Sequence, residues 1–241
     1  GGTTQIEACD THGGEVRVED RRLPAERLAS RVLLEGPYVR REVSLVDTGV
    51  LPWDVTLVRA LMPIPEADWR VLLIGGGAST APRTILREHP VGVVDVVERT
   101  GAVVELGREH LATELSIARS DRLNVEVGHL FDLLDQMTPG YDLIVVDTAA
   151  LLPIGGVMGF SSRTRQRLLE LAVAGGTIAW GPLPAESGMP ELAEGWRHEA
   201  FVRWGMGSDG EHVILTGGSG SSGWPESFGG FQSANGSVRE P

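Results

Sequence analysis

The residues best placed to do chemistry are Asp147, Glu98 and the triplet Gly75-Gly76-Gly77. Asp147 ends the very apolar run Tyr141–Val146, YDLIVV. A carboxylate there is partly desolvated, which raises its pKa and strengthens its pull on a nearby cation, as a general base or an amine-orienting group requires. The alternative is that Asp147 only caps the following turn. The glycines end a second apolar run, VLLI, whose length suits a central parallel strand. Lacking Cβ atoms, they let a ligand approach the backbone, while Ser79 or Thr80 can cap a helix whose early Pro82 needs no amide donor. Glu98 ends the run Val91–Val97 and lies 21 residues beyond Gly77, about the spacing at which an acid meets a ribose hydroxyl pair. Glycine triplets alone are often tight turns, but strand, glycines, helix, strand and acid in that order point to nucleoside binding.

The elements that must position these residues alternate. After the glycine turn, Thr84–His89 reads as helix, Val91–Val97 as strand, Ala102–Ala118 as helix, Leu123–Val127 as strand, Leu130–Gln136 as helix and Tyr141–Val146 as strand. Arg163–Ala174 adds a helix and Gly176–Trp180 a strand, and Glu199–Trp204 with Glu211–Leu215 reads as an antiparallel hairpin closing the sheet. The expectation is an α/β fold: a Rossmann-like, mostly parallel sheet with a C-terminal antiparallel hairpin, preceded by a small, partly β N-terminal unit. In that unit Glu15–Glu19 and Val39–Val46 alternate like strands, and Ala25–Leu34 reads as a short helix. Val55–Met62 is apolar at helical spacing and is stopped by Pro63 and Pro65. The division expected is a flexible lead-in at 1–14, the N-terminal unit at 15–64, the Rossmann-like domain at 65–216 and a disordered Gly/Ser-rich tail at 217–241. Ligands of such sheets bind beyond the carboxyl ends of the strands, which adds Arg99, Gly128, His129 and Leu130 to the candidates.

Composition narrows the partners. With 33 acidic against 21 basic residues and a net charge of −12, no general affinity for nucleic acid or anionic membranes is expected. The single cysteine, Cys9, excludes an internal disulfide and a thiolate metal cluster. His12, His89, His110, His198 and His212 show no ligand spacing, so no metal is expected. Neither a long apolar run nor a signal-peptide pattern is found, and the reading is cytoplasmic. A homodimer is left open.

The stretches VLLIGGG, VVDVVERTGAVVELGREHL, RLNVEVGHLFDLL and YDLIVVDTA, in that order and spacing, resemble the spermidine synthase (polyamine aminopropyltransferase) family, which shares the class I methyltransferase fold. The resemblance covers about Asp68 to Trp180, and the family's small β domain matches the N-terminal unit. It implies an adenosyl co-substrate, S-adenosylmethionine or its decarboxylated form, and a small-molecule acceptor. It assigns Gly75–Gly77 to the turn beneath the nucleoside, Glu98 to the ribose and Asp147 to deprotonating the attacking amine. The chain departs from the family where an acid after the glycine turn is Ala78, an adenine-binding acid is His129, and the second acid of the DSxDP-type motif is Ala150. These departures leave an S-adenosylmethionine-dependent methyltransferase or a catalytically silent nucleoside-binding protein as the alternatives to an aminopropyltransferase-like enzyme. Trp53, Trp180 and Trp204 read as cleft lining or as core. On this reading Glu98→Gln weakens nucleoside affinity and leaves the fold intact.

Overall fold

The computed structural model describes residues 2–23, 28–45, 69–79, 81–88, 92–111, 121–154, 162–183, 196–204 and 211–218. Four antiparallel strands come first: β1 (Gly2–Thr11), β2 (Gly14–Leu23), β3 (Leu28–Glu35) and β4 (Tyr38–Ser44), joined in that order. In β2, Val16 and Val18 face inward, while Arg17 and Glu19 between and beside them pair at 2.7 Å on the other face. The alternation places Val16, Val18 and Leu33 in one core with Ala102, Val103, Leu106 and Leu111 of the second unit. The N-terminal sheet therefore packs on the helical segment Gly101–Leu111 of the second unit.

Two sequence expectations fail here. Residues 1–14 are no loose lead-in, since Gly2–Thr11 pairs with β2 through to the turn at Gly14, whose φ is 116°. β1 is exposed almost throughout, so it carries no apolar periodicity to read, and its backbone ladder alone reveals it. Leu28–Glu35, read as part of a helix, is a strand because β2 and β4 pair with it on both sides. Tertiary pairing overrides local propensity at such a position.

The second sheet holds β5 (Arg70–Ile74), β6 (Val93–Glu98), β7 (Leu123–Val127), β8 (Tyr141–Asp147), β9 (Ala172–Leu183), β10 (Trp196–Trp204) and β11 (Glu211–Gly218), in the order β10-β11-β9-β8-β5-β6-β7. Strands β5 to β9 are parallel, and β11 pairs antiparallel with both β9 and β10. This is the Rossmann-like sheet with its closing hairpin. The helices are α1 (Ala81–Glu88), α2 (Gly101–Leu106), α3 (Leu130–Gln136) and α4 (Ser162–Leu171), and α2 runs into a π-helical turn, Gly107–Leu111. Helix α4 stops three residues before its expected end, because Ala172 already pairs with Tyr141 of β8. One face of the sheet buries Leu72, Ile74, Ile144, Val146, Ile178 and Trp180 against Leu130, Leu134 and Leu168.

Toward the starting ends of the strands, Asp95 accepts hydrogen bonds from Tyr141 Oη (2.7 Å), Asn124 Nδ2 (2.7 Å) and Arg70 Nη2 (3.1 Å). Burial, then the hydrogen bond to Asp95, raises the Tyr141 pKa and keeps its hydroxyl a donor. This knot fixes four strands at the end away from the glycine turn. Gly217 and Gly218, expected to open the disordered tail, are instead the last residues of β11, held by pairing with Arg197 and Trp196. Residues 219–241, the Val55–Met62 pattern and the expected boundary between 64 and 65 fall outside the described residues. Among the described residues no helix is long and apolar enough to cross a membrane.

Candidate functional site

The strand order reverses between the neighbouring strands β5 and β8, and ligands of open parallel sheets bind beyond the carboxyl ends of the strands at such a point. The glycine turn lies there. Gly75 adopts φ 74°, ψ 15°, a left-handed conformation that favours glycine, and donates its N–H to Val97 O at 2.8 Å. The room left by the missing Cβ atoms is taken by the protein itself. A Cβ on Gly75 would lie 2.1 Å from Ala150 Cβ, and one on Gly77 would lie 2.6 Å from Glu98 Cγ.

Glu98 is fully buried, and its carboxylate is held from three segments. Oε2 accepts from Arg40 Nη2 at 2.7 Å and from the Gly77 N–H at 3.2 Å. Oε1 accepts from the N–H groups of Arg99 (2.7 Å) and Thr100 (3.1 Å). Arg40 comes from the N-terminal sheet, and its side chain is 1% exposed. It also pairs with Glu35, which is 2% exposed and accepts from Arg99 Nη2 and, at 2.7 Å, from Thr100 Oγ1. A second contact runs from Arg40 Nη2 to Gly75 O at 3.4 Å, and Arg41 Nε donates to Ala78 O at 3.1 Å. Burial opposes the charge on Arg40, but Glu98, Asp147 and Glu35 outweigh it and raise its pKa, so the guanidinium stays protonated. Arg40 Nε and Arg99 Nε are buried without a hydrogen-bond partner among the described residues.

The local chain explains why two adjacent arginines both turn inward. The ladder between β3 and β4 pairs Leu33 with Arg41 but Leu34 with Val39, so Arg40 is the extra residue of a β-bulge. A bulge breaks the strict alternation of faces and re-aims a side chain. Arg40, Glu35 and Thr100 are site residues that sequence reasoning missed. The one available signal was the doublet Arg40-Arg41 inside an alternating strand, where one of the two must occupy the inward face.

The other candidates divide. Asp147 is buried at the end of β8, and its Oδ1 accepts the Ala149 N–H at 3.0 Å, so it does cap its turn. It also lies beside the glycine turn, where a Cβ on Gly75 would meet its carbonyl oxygen at 3.3 Å, and its charge helps to keep Arg40 protonated. Ala150 packs over Gly75, and Ala78 lies where a Cβ on Gly107 would meet it at 3.3 Å. Gly128 donates its N–H to Glu98 O at 3.0 Å. The side chain of His129 is 66% exposed, with Asp132 at 3.5 Å and the Phe131 ring edge-on at 5.5 Å. Leu130 belongs to the core, as does Trp180. Thr80, Trp53 and Leu51–Asp54 lie outside the described residues, as does the side chain of Trp204. Away from the cleft, His110 Nε2 meets Glu7 Oε2 at 2.7 Å with Glu109 alongside, an exposed contact tying β1 to the π turn.

Comparison with known proteins adds the family context. Residues 60–179 match the spermine/spermidine synthase domain. A polyamine aminopropyltransferase from Shouchella clausii is 33% identical over 131 residues, 54% of this chain and 45% of that protein. One from Synechococcus sp. is 32% identical over 137 residues, 55% of this chain and 42% of its own length. The chain thus spans less than half the length of these curated relatives. Among solved structures, spermidine synthase from Thermotoga maritima shares the fold with a TM-score of 0.62 at 14% identity, covering 88% of this chain and 72% of that one.

Proposed function

We propose that this chain, whose residues 60–179 match the spermine/spermidine synthase domain, binds an adenosyl sulfonium donor and transfers an alkyl group from it to a small acceptor. The donor, S-adenosylmethionine or its decarboxylated form, is a co-substrate that supplies a carbon activated by positively charged sulfur. The observation that supports the reading is the meeting of Asp147 with the glycine turn beyond β5 and β8, where a Cβ on Gly75 would lie 3.5 Å from Asp147 Cβ. Ligands of open parallel sheets bind at such a point.

In this reading Gly75, Gly76 and Gly77 form the floor of the nucleoside cleft, with Glu98 and Arg99 at its ribose side and Gly128, His129 and Leu130 at its base side. The acceptor's lone pair forms a bond to the carbon beside sulfur, the carbon–sulfur bond breaks with its electrons passing to sulfur, and the acceptor's proton goes to Asp147. Aminopropyl transfer releases methylthioadenosine. The family acids absent at Ala78 and Ala150 would each contribute about 1.5–3 kcal/mol as charge-assisted hydrogen bonds to amines, so a diamine is a poor acceptor here.

Methyl transfer, releasing adenosylhomocysteine, is the second reading. Ala78 and Ala150 favour it, since both methyl groups are buried where an amine-binding carboxylate is expected. Calorimetric titration with S-adenosylmethionine, its decarboxylated form and methylthioadenosine tests both. Binding is expected for at least one, and binding to none overturns the transferase proposal. In a protein that turns over, Asp147→Asn is expected to lower the rate about 10²–10⁴-fold with nucleoside affinity little changed, and full activity in that variant removes the base assignment.

A further inference from the structure

We propose that Arg40 makes the cleft selective for an adenosyl ligand that carries its own carboxylate, so that S-adenosylmethionine is preferred over its decarboxylated form; the inference rests on the nucleoside reading above. The argument starts from acceptor positions. An ionised carboxylate offers about four lone-pair sites. Glu98 spends them on Arg40 Nη2 and on the N–H groups of Gly77, Arg99 and Thr100. A ribose hydroxyl pair reaches Glu98 only by displacing a donor. Three of the four donors are backbone groups, two of them in the residues directly after β6 and one in the glycine turn, so the side chain of Arg40 is the one able to yield.

A displaced Arg40 needs another anion. Its side chain is 1% exposed, and a buried charge stripped of a partner is strongly destabilising. Glu35 does not make up the difference, because its single negative charge is already shared between two guanidinium groups, those of Arg40 and Arg99. The guanidinium meanwhile sits on the glycine turn, 3.4 Å from Gly75 O, with a buried Nε–H that has no acceptor among the described residues. A carboxylate brought by the ligand replaces Glu98 as the second anion and accepts from that spare N–H, in the forked geometry that suits a guanidinium. The decarboxylated donor brings only ammonium and sulfonium charges toward the same guanidinium, and Ala78 offers no acid to offset them.

The test is a calorimetric comparison of S-adenosylmethionine, its decarboxylated form and methylthioadenosine on wild type, Arg40→Lys and Arg40→Met, with melting temperatures for all three proteins. The first two ligands differ only in the carboxylate. Wild type is expected to bind S-adenosylmethionine at least tenfold more tightly, Arg40→Met to bring that ratio within about threefold, and Arg40→Lys, which keeps the charge and loses the fork, to fall between the two. Arg40→Lys keeps a buried cation, so it serves if Arg40→Met does not fold. A wild-type ratio near one, or a ratio that survives in a folded variant, overturns the inference; the latter outcome would place the displaced guanidinium on Asp147 instead. Binding of methylthioadenosine without carboxylate preference sinks this inference alone, whereas no binding of any ligand to wild type sinks the nucleoside reading itself.

Discussion

Glu98→Gln is predicted to cost stability as well as affinity. The amide is isosteric, but each oxygen of Glu98 faces two N–H donors, Arg40 with Gly77 on one side and Arg99 with Thr100 on the other. Whichever way the glutamine amide is turned, its NH2 group meets two donors and loses both bonds. Arg40 at the same time keeps only Glu35 as a hydrogen-bonded counter-ion. Removing one partner of a buried pair costs about 3–5 kcal/mol. For a chain of this size each kcal/mol shifts the melting temperature by about 2–4 °C, so the midpoint should fall by about 6–20 °C. Melting followed by circular dichroism reads this directly, with Glu126→Gln on the exposed face of β7 as the neutral control. The double variant Glu98→Gln/Arg40→Met should lose less than the sum of the two single changes, since it leaves neither charge facing the other's gap. A Glu98→Gln protein melting within about 2 °C of wild type would refute the claim that this carboxylate is a structural keystone.

The glycines supply a second prediction: Gly77→Ala, whose Cβ would fall 2.6 Å from Glu98 Cγ and 2.9 Å from Val104 Cγ2, should destabilise by about 1–3 kcal/mol or more in urea titration. Gly101→Ala, in the first turn of α2 with its nearest neighbour at 3.7 Å, should instead stabilise by about 0.5–1 kcal/mol, and equal effects at the two sites would contradict the close-approach argument. Asp20 accepts from Arg31 Nε at 2.7 Å and Nη2 at 3.0 Å, chiefly for which its pKa is lowered on folding. A lowered folded-state pKa gives stability that is present above the unfolded value and lost as the pH falls through the folded one. Asp20→Asn should therefore cost about 1 kcal/mol near neutrality, with the difference fading as the pH drops below about 4; a difference unchanged at pH 3 would exclude ionisation as its source.

Much of the parallel sheet was legible because β5, β6 and β8 are buried on both faces and read as nearly continuous apolar runs, while the edge strand β7 alternates. Leu130–Gln136 and Leu123–Val127 fall on their expected bounds, and the closing hairpin is antiparallel as read. The N-terminal sheet was legible only where one face is apolar. Val16 and Val18 announce β2, whereas β1 buries no face and leaves no pattern. The approach of Asp147 to the glycine turn followed from strand ends alone. The clamp on Glu98 did not, because its residues are 58 positions apart in sequence and meet through a bulge that no propensity marks. Periodicity reports which face a residue occupies, and a bulge is a local break in that rule.

The bulge at Arg40 also acts as a check on strand register. A ladder held only by backbone bonds and by alternating valines and leucines can slip by two residues and still present an apolar face. In β4 a slip of that size would carry Arg40 away from both carboxylates, leaving Glu98 with backbone donors alone and Glu35 with Arg99 and Thr100. Each misregistered pairing would thus be penalised by the loss of a buried counter-ion rather than by a few lost methyl contacts. The arrangement turns an electrostatic liability into a means of recognising the correct alignment of two sheets, and it does so at the same carboxylate that the nucleoside reading places beside the ribose.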